Sequence, residues 1–271
     1  KAPKGGTIKL YEIGSFDTLN NFILKGSPAA NLSQIHDSLL VQSYDEPFTM
    51  YGLIAESINV PEDRSWIIFK IRKEAKFHDG SPITVEDIIW TLNVLKEKGH
   101  PFYRFYYSNV KKAEKLNNSE VKFIFQGERN LELPLIIGQM RILSKKYWKD
   151  KFEDVLLEPP IGSGPYKVKS LKAGRTIEFE RVKDYWAKDL AVNKGKFNFD
   201  NIIIEYFRDA TVALEAFKTG DYDFREENQA KRWATAYNFP AIKKGLVKKE
   251  EIKHEIPTGM QGFFINTRKE I

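Results

Sequence analysis

Residues 66–92, WIIFKIRKEAKFHDGSPITVEDIIWTL, constrain the fold more tightly than any other stretch of this chain. Trp66, Ile68, Lys70 and Arg72 alternate with Ile67, Phe69, Ile71 and Lys73. That pattern predicts a strand apolar on both faces at its start and on one face at its end. Asp79-Gly80 then marks a turn, because glycine tolerates positive φ and aspartate bonds its own backbone, and Pro82 keeps Ser81 out of the helical region. Thr84, with Asp87 three residues on, predicts a helix N-terminus, and Glu86 and Asp87 place negative charge where the helix dipole favours it. Val85, Ile88, Ile89, Leu92 and Leu95 recur at helical spacing, Trp90 and Val94 widen the stripe, and Gly99 and Pro101 end it. A strand, a shaped turn and a capped helix in succession describe a scaffold rather than a catalytic site.

His78-Asp79 is the one pair here that could suggest catalysis or metal binding. Metal ligands must converge at defined spacing. His36, His78, His100 and His254 are scattered, and the chain has no Cys. His78 therefore reads as a turn histidine satisfied by local hydrogen bonds, with no metal, cofactor or disulfide expected.

Across 271 residues, 42% are hydrophobic, which is ample for a packed core and suggests one or two domains. No apolar run approaches the roughly 18–20 residues that span a bilayer. The N-terminal Lys1-Ala2-Pro3-Lys4-Gly5-Gly6 has neither an apolar core nor an initiator Met, so it reads as the start of a processed chain or fragment. A formal net charge of +6 raises nucleic-acid binding. The densest basic stretch, Lys243, Lys244, Lys248, Lys249 and Lys253, is interleaved with Glu250, Glu251 and Glu255, which describes a solvated face. No nucleic-acid partner is expected.

Periodicity predicts strands at 7–13, 66–73, 110–116, 120–126, 166–171, 176–181 and 201–207, a strand starting at Asp223-Phe224, and a last strand at 262–266. It predicts helices at 31–40, 84–95, 131–137, from 144, 211–218 and 231–237. The Pro/Gly-dense run 158–166, EPPIGSGPY, is the best candidate for a crossover between domains. Strand and helix alternate after it and hairpins dominate before it, which argues for an α/β fold with a mixed sheet plus a smaller α+β insertion.

No catalytic signature emerges. Gly162-Ser163-Gly164 leads through Pro165 into a strand, whereas a nucleophile elbow needs strand, turn and helix. Glu226 and Glu227 are adjacent and would point apart on a strand, which is not a glycosidase pair. The aromatic cluster Phe102, Tyr103, Phe105, Tyr106 and Tyr107 suits stacking on sugars or bases, although burial under a loop is the commoner outcome.

Taken together, the words at 66–92, Gly5-Gly6-Thr7, Leu53-Ile54-Ala55-Glu56-Ser57, Pro160-Ile161-Gly162-Ser163-Gly164-Pro165-Tyr166, Asp184-Tyr185-Trp186, Ala216-Phe217-Lys218-Thr219-Gly220-Asp221-Tyr222-Asp223 and Phe264-Ile265-Asn266-Thr267 resemble the family 5 extracellular solute-binding proteins. These are the peptide-binding components of ABC importers. Phe16-Asp17, Asp45-Glu46-Pro47, Lys146-Tyr147-Trp148-Lys149-Asp150 and Trp233-Ala234-Thr235 bring it nearest the oligopeptide-binding YejA-type branch. Val85 stands where that family usually has Ala.

The resemblance implies the first lobe of a periplasmic-binding-protein type II-like fold. Its ligand-facing α/β domain would comprise residues 1–41 and 161–271, with an inserted α+β domain at 42–160 and the second lobe absent from this chain. It implies a periplasmic, monomeric protein that captures oligopeptides or peptide-like compounds and hands them to an inner-membrane ABC permease without chemistry. Other solutes of the same family (an oligosaccharide, a nickel chelate or haem) are the alternative, and an α/β hydrolase is disfavoured. Matching the family's cleft segments implies ligand contacts at Lys25, Gly26 and Ser27, at Arg225, Glu226, Glu227 and Asn228, and at Gln261, Gly262 and Phe263. Lys25 replaces a common Glu, which favours a carboxylate or phosphate partner there, and Arg225 could hold a carboxylate bidentately.

Overall fold

The structure, a computed structural model, describes residues 2–128, 130–253, 262, 263, 265, 267 and 268. Strands β1 (Thr7–Ile13), β2 (Leu40–Gln42), β3 (Met50–Gly52), β4 (Ala55–Asn59), β5 (Trp66–Ile71), β6 (Val110–Lys115), β7 (Glu120–Phe125), β8 (Tyr166–Lys172), β9 (Thr176–Arg181) and β10 (Asn201–Phe207) form two four-stranded sheets and one small hairpin. The helices are α1 (Val85–Glu97), α2 (Pro101–Tyr106), α3 (Leu133–Gly138), α4 (Lys145–Trp148), α5 (Ala210–Thr219), α6 (Ala230–Thr235) and α7 (Pro240–Lys243). No helix among the described residues is long and apolar enough to cross a membrane.

The first sheet is mixed, in the order β1-β10-β9-β8. β1 lies parallel to β10, Thr7 opposite Asn201 and Ile13 opposite Phe207, and the other pairs are antiparallel. β10 carries apolar side chains on both faces, as a strand covered on both sides must. Ile202 and Ile204 pack with Phe16, Ile177 and Phe179 on one face. Phe207 joins Phe217 and Tyr222 on the other.

The second sheet is antiparallel, in the order β4-β5-β7-β6. Ile67, Phe69 and Ile71 of β5 join Val121 and Phe123 of β7 in one core with Val85, Ile88, Leu92 and Leu95 of α1. Each fully buried side chain of this size contributes roughly 1.5–3 kcal/mol. The start of α1 is locked by a capping box: the Asp87 amide donates to Thr84 Oγ1 (3.2 Å) and the Thr84 amide to Asp87 Oδ2 (3.0 Å). Phe22, Ile23, Leu39 and Leu40, which lie before the second sheet in the chain, also pack into this core.

Three sequence expectations are corrected. Residues 31–40 form only a 3-10 turn at Leu32–Gln34, because the Ile35 carbonyl that would continue a helix accepts instead from the amides of Ser163 (2.9 Å) and Gly164 (2.7 Å). Asp223-Phe224 starts no strand. The Asp223 amide donates to the Lys9 carbonyl, but the Lys9 amide donates to the Asp223 side chain (2.7 Å) rather than to a carbonyl, so no ladder propagates. Within 262–266, the described residues Gly262, Phe263 and Ile265 are exposed and belong to no strand, and Phe264 and Asn266 lie outside the described residues.

Candidate functional site

Where β1 and β10 run parallel, both deliver their following loops to the same edge of the sheet, the place where open α/β sheets bind ligands. The loop after β1 folds back on itself. The Ser27 amide donates to Asp17 Oδ1 (2.7 Å), the Asp17 amide donates to the Ser27 carbonyl (3.0 Å), and the Ala30 amide donates to Tyr206 Oη of β10 (2.6 Å). Gly26 sits at φ 81°, and a Cβ there would lie 2.8 Å from Asp17 Oδ1, so the bend requires glycine. Lys25, Gly26 and Ser27 are all exposed. Ser27 spends both its backbone groups on Asp17, while those of Lys25 and Gly26 have no partner among the described residues.

On the other face of β1, Arg225 is enclosed. Its guanidinium lies over the Tyr11 ring at 4.8 Å, and it donates to Tyr222 Oη (2.8 Å), Tyr237 Oη (2.9 Å) and Glu227 Oε2 (3.2 Å). Both charged side chains are almost fully buried, at 2% and 3% exposure. Burial opposes ionisation of Glu227, but the Gln229 amide, the Tyr237 hydroxyl and Arg225 outweigh it and hold the carboxyl below its ordinary range. Burial, then the bond to Glu227, pushes Tyr237 up to about 12. The bidentate carboxylate position expected for a ligand on Arg225 is thus filled by Glu227. Glu226 and Asn228 lie on either side of Glu227 in the chain, and the Glu226 carbonyl accepts from Tyr11 Oη (3.2 Å). No hydrogen bond among the described residues joins this group to Lys25–Ser27. Gln261 lies outside the described residues, and Gly262 and Phe263 are exposed.

The Pro/Gly run serves as a seam rather than a catalytic loop. Ser163 is buried, and its Oγ accepts from the Asp37 amide (3.0 Å). Asp37 in turn accepts from Tyr185 Oη (2.8 Å) and Trp186 Nε1 (2.9 Å). Burial pushes its carboxyl up to about 7 against those two bonds. His78 is not satisfied locally as expected, because its ring bonds to Gly162 and Gly164 across the seam.

The aromatic cluster forms helix α2 rather than lying under a loop. Phe102 and Phe105 are exposed and Tyr107 is buried. Behind α2 lies a cavity of about 510 Å³, lined among others by His36, Arg141, Tyr103, Tyr106 and Lys196. Sequence reasoning missed it, as it missed the tyrosines around Arg225, because each site gathers residues from segments far apart in the chain. Among the described residues, no group of three or more acidic, His or Cys side chains could hold a metal ion.

The sequence model described as bacterial extracellular solute-binding proteins, family 5 Middle, matches residues 49–271. The probable peptide-binding protein YejA of Agrobacterium fabrum is 41% identical over all of this chain and 45% of its own length. The peptidoglycan-binding protein YepA of the same organism is 40% identical over 98% of this chain and 46% of its own. The oligopeptide-binding protein AppA of Bacillus subtilis, solved with a nonapeptide, superposes with a TM-score of 0.69 at 25% identity, covering 89% of this chain and 47% of AppA. The chain spans about half the length of the curated relatives it matches. A family match over most of the sequence, with an α/β fold built on a mixed sheet like that of a solved peptide-binding protein, leads to one conclusion: this chain belongs to the family 5 bacterial extracellular solute-binding proteins.

Proposed function

We propose that this chain forms one wall of a periplasmic cleft that captures oligopeptides and delivers them, without chemistry, to an ABC import permease. The observation that carries the reading is the exposed Lys25–Gly26 backbone at the carboxyl edge of the β1/β10 pair, rigidly backed by Asp17 and Tyr206. Unpaired backbone groups there suit sequence-tolerant pairing with an extended peptide, as in strand addition. The names of YejA and AppA support a peptide ligand. Residues 1–41 and 161–271 would be the ligand-facing domain and 42–160 the insertion, a division supported by the two separate sheets.

Within the cleft, Lys25 would meet a carboxylate or phosphate. Arg225 and Glu227 would shape the wall by holding the 222–228 segment against β1, with Glu226, Asn228, Gln261, Gly262 and Phe263 offering edge contacts. A peptidoglycan-derived peptide is the second reading, favoured by the likeness to YepA. The protein would act as a monomer and bind no nucleic acid.

Native mass spectrometry of the protein, prepared at the length of its relatives and purified without denaturation, tests this. Co-purified peptide is the expected result. A released sugar, or turnover of an offered peptide, would overturn it. The 271-residue chain alone should bind peptide weakly in calorimetry, and a salt-titrated DNA shift assay should show no complex at low salt.

A further inference from the structure

The cavity behind α2 belongs to a different part of the molecule from the proposed peptide wall. None of Lys25, Gly26, Ser27 or Arg225 lines it, and Lys196 and Phe197 on its wall precede the amino end of β10, opposite the carboxyl edge. At about 510 Å³ it lies within the range of small-molecule sites, roughly 300–1,000 Å³.

Arg141 gives it chemical character. Its Nη1 donates to the carbonyls of Ser33 (2.6 Å) and His36 (2.7 Å), which occupies both hydrogens of that nitrogen. Nε and Nη2 have no acceptor among the described residues, and no carboxylate there makes an ion pair with Arg141. The Nε–H and Nη2–H groups form two parallel donors along one edge of the guanidinium, the geometry that matches a carboxylate. Asp37, an acid on the same cavity wall, has its two oxygens engaged by Tyr185 and Trp186.

His36 forms part of the cavity wall at 3% exposure. Lys196 adds a further positive charge, and Tyr103 and Tyr106 supply ring surfaces.

We propose that this cavity binds a small ring-bearing carboxylate, with its carboxylate on the Nε/Nη2 edge of Arg141 and its ring against Tyr103 and Tyr106. The site is independent of peptide capture.

Titration of the 271-residue chain with benzoate, and with benzamide as its neutral counterpart, followed by NMR, tests the proposal. Benzoate should bind about tenfold more tightly than benzamide, because only the charged ligand engages the guanidinium edge. Resonances of Tyr103 and Tyr106 should shift. Lys196→Gln should weaken benzoate severalfold with an unchanged circular dichroism spectrum. Arg141→Lys, which keeps the charge but not the paired donors, should reduce the preference over benzamide severalfold. Equal binding of benzoate and benzamide, the absence of saturable benzoate binding at millimolar concentration, or displacement of benzoate by a nonapeptide would each overturn the proposal.

Discussion

The imidazole of His78 bridges two glycines of the Pro/Gly seam: Nδ1 accepts from the Gly162 amide at 3.3 Å, and Nε2 donates to the Gly164 carbonyl at 2.9 Å. The His78 amide adds a third bond, to the Gly162 carbonyl at 2.7 Å. This arrangement holds the ring neutral with its proton on Nε2. The turn before α1 is thereby clipped to the segment that carries the chain back to the first sheet.

Burial pulls the His78 ring below its ordinary 6.5, against the bond to Gly164, while Lys167 lowers it further and Asp184 and Asp79 raise it. The unfolded chain therefore takes up a proton that the folded chain resists. The stability His78 contributes is fully present above pH 6.5 and is lost as the pH falls through the folded value. His36, held down to about 3 by burial and then by Arg141, acts in the same direction from pH 6.5 down to about 3. The urea midpoint should fall between about pH 8 and about pH 5, by less than the two histidines alone would give because Asp37, raised to about 7 in the fold, stabilises it as the pH falls, and His78→Gln, which cannot titrate, should make that fall shallower. An equally steep fall in the variant would assign the effect to other groups.

Removing Arg225 leaves Glu227 buried and unpaired. Arg225→Ala should cost about 3–5 kcal/mol in chemical unfolding. The double variant Arg225→Leu/Glu227→Leu should recover part of that loss. A side chain whose role is to hold a ligand would instead reduce binding at unchanged stability, so the unfolding midpoint separates the two roles.

A Cβ at Gly162 would collide with the backbone oxygen of Ile35. That oxygen accepts two amides of the seam and cannot move freely. Gly162→Ala should destabilise by about 3 kcal/mol and raise hydrogen exchange at Ser163 and Gly164 before it affects β5 or β7.

Loss of the Thr84 cap should be milder. Thr84→Ala removes the acceptor for the Asp87 amide and should cost about 1 kcal/mol. Asp87→Ala should cost more, because Asp87 Oδ1 also accepts from the Lys145 amide (2.9 Å) and so ties α1 to α4. Thermal melts of the two variants give the comparison.

Much of the element order was legible before any coordinates. β1 and β10 were predicted residue for residue, and α1 starts behind the expected Thr84 cap, because strand alternation, helical stripes and caps are written within a dozen neighbouring residues. The family was legible too, since its words survive as local strings. The clearest misreading has a long-range cause. The 31–40 segment has a helical stripe, yet its carbonyl at Ile35 is claimed by amides 128 and 129 positions further on, at Ser163 and Gly164.

The sequence by itself determined most of the strands and helices, and which family they compose, because those properties depend largely on short-range spacing. The tertiary structure alone decided what the polar side chains do. Glu227 fills the carboxylate position on Arg225 only because Tyr11, Tyr222 and Tyr237 meet around the pair and exclude water. His78 became a clip for the same reason: its partners come from a distant segment, and burial turns an unmet hydrogen bond into a cost that the fold must answer.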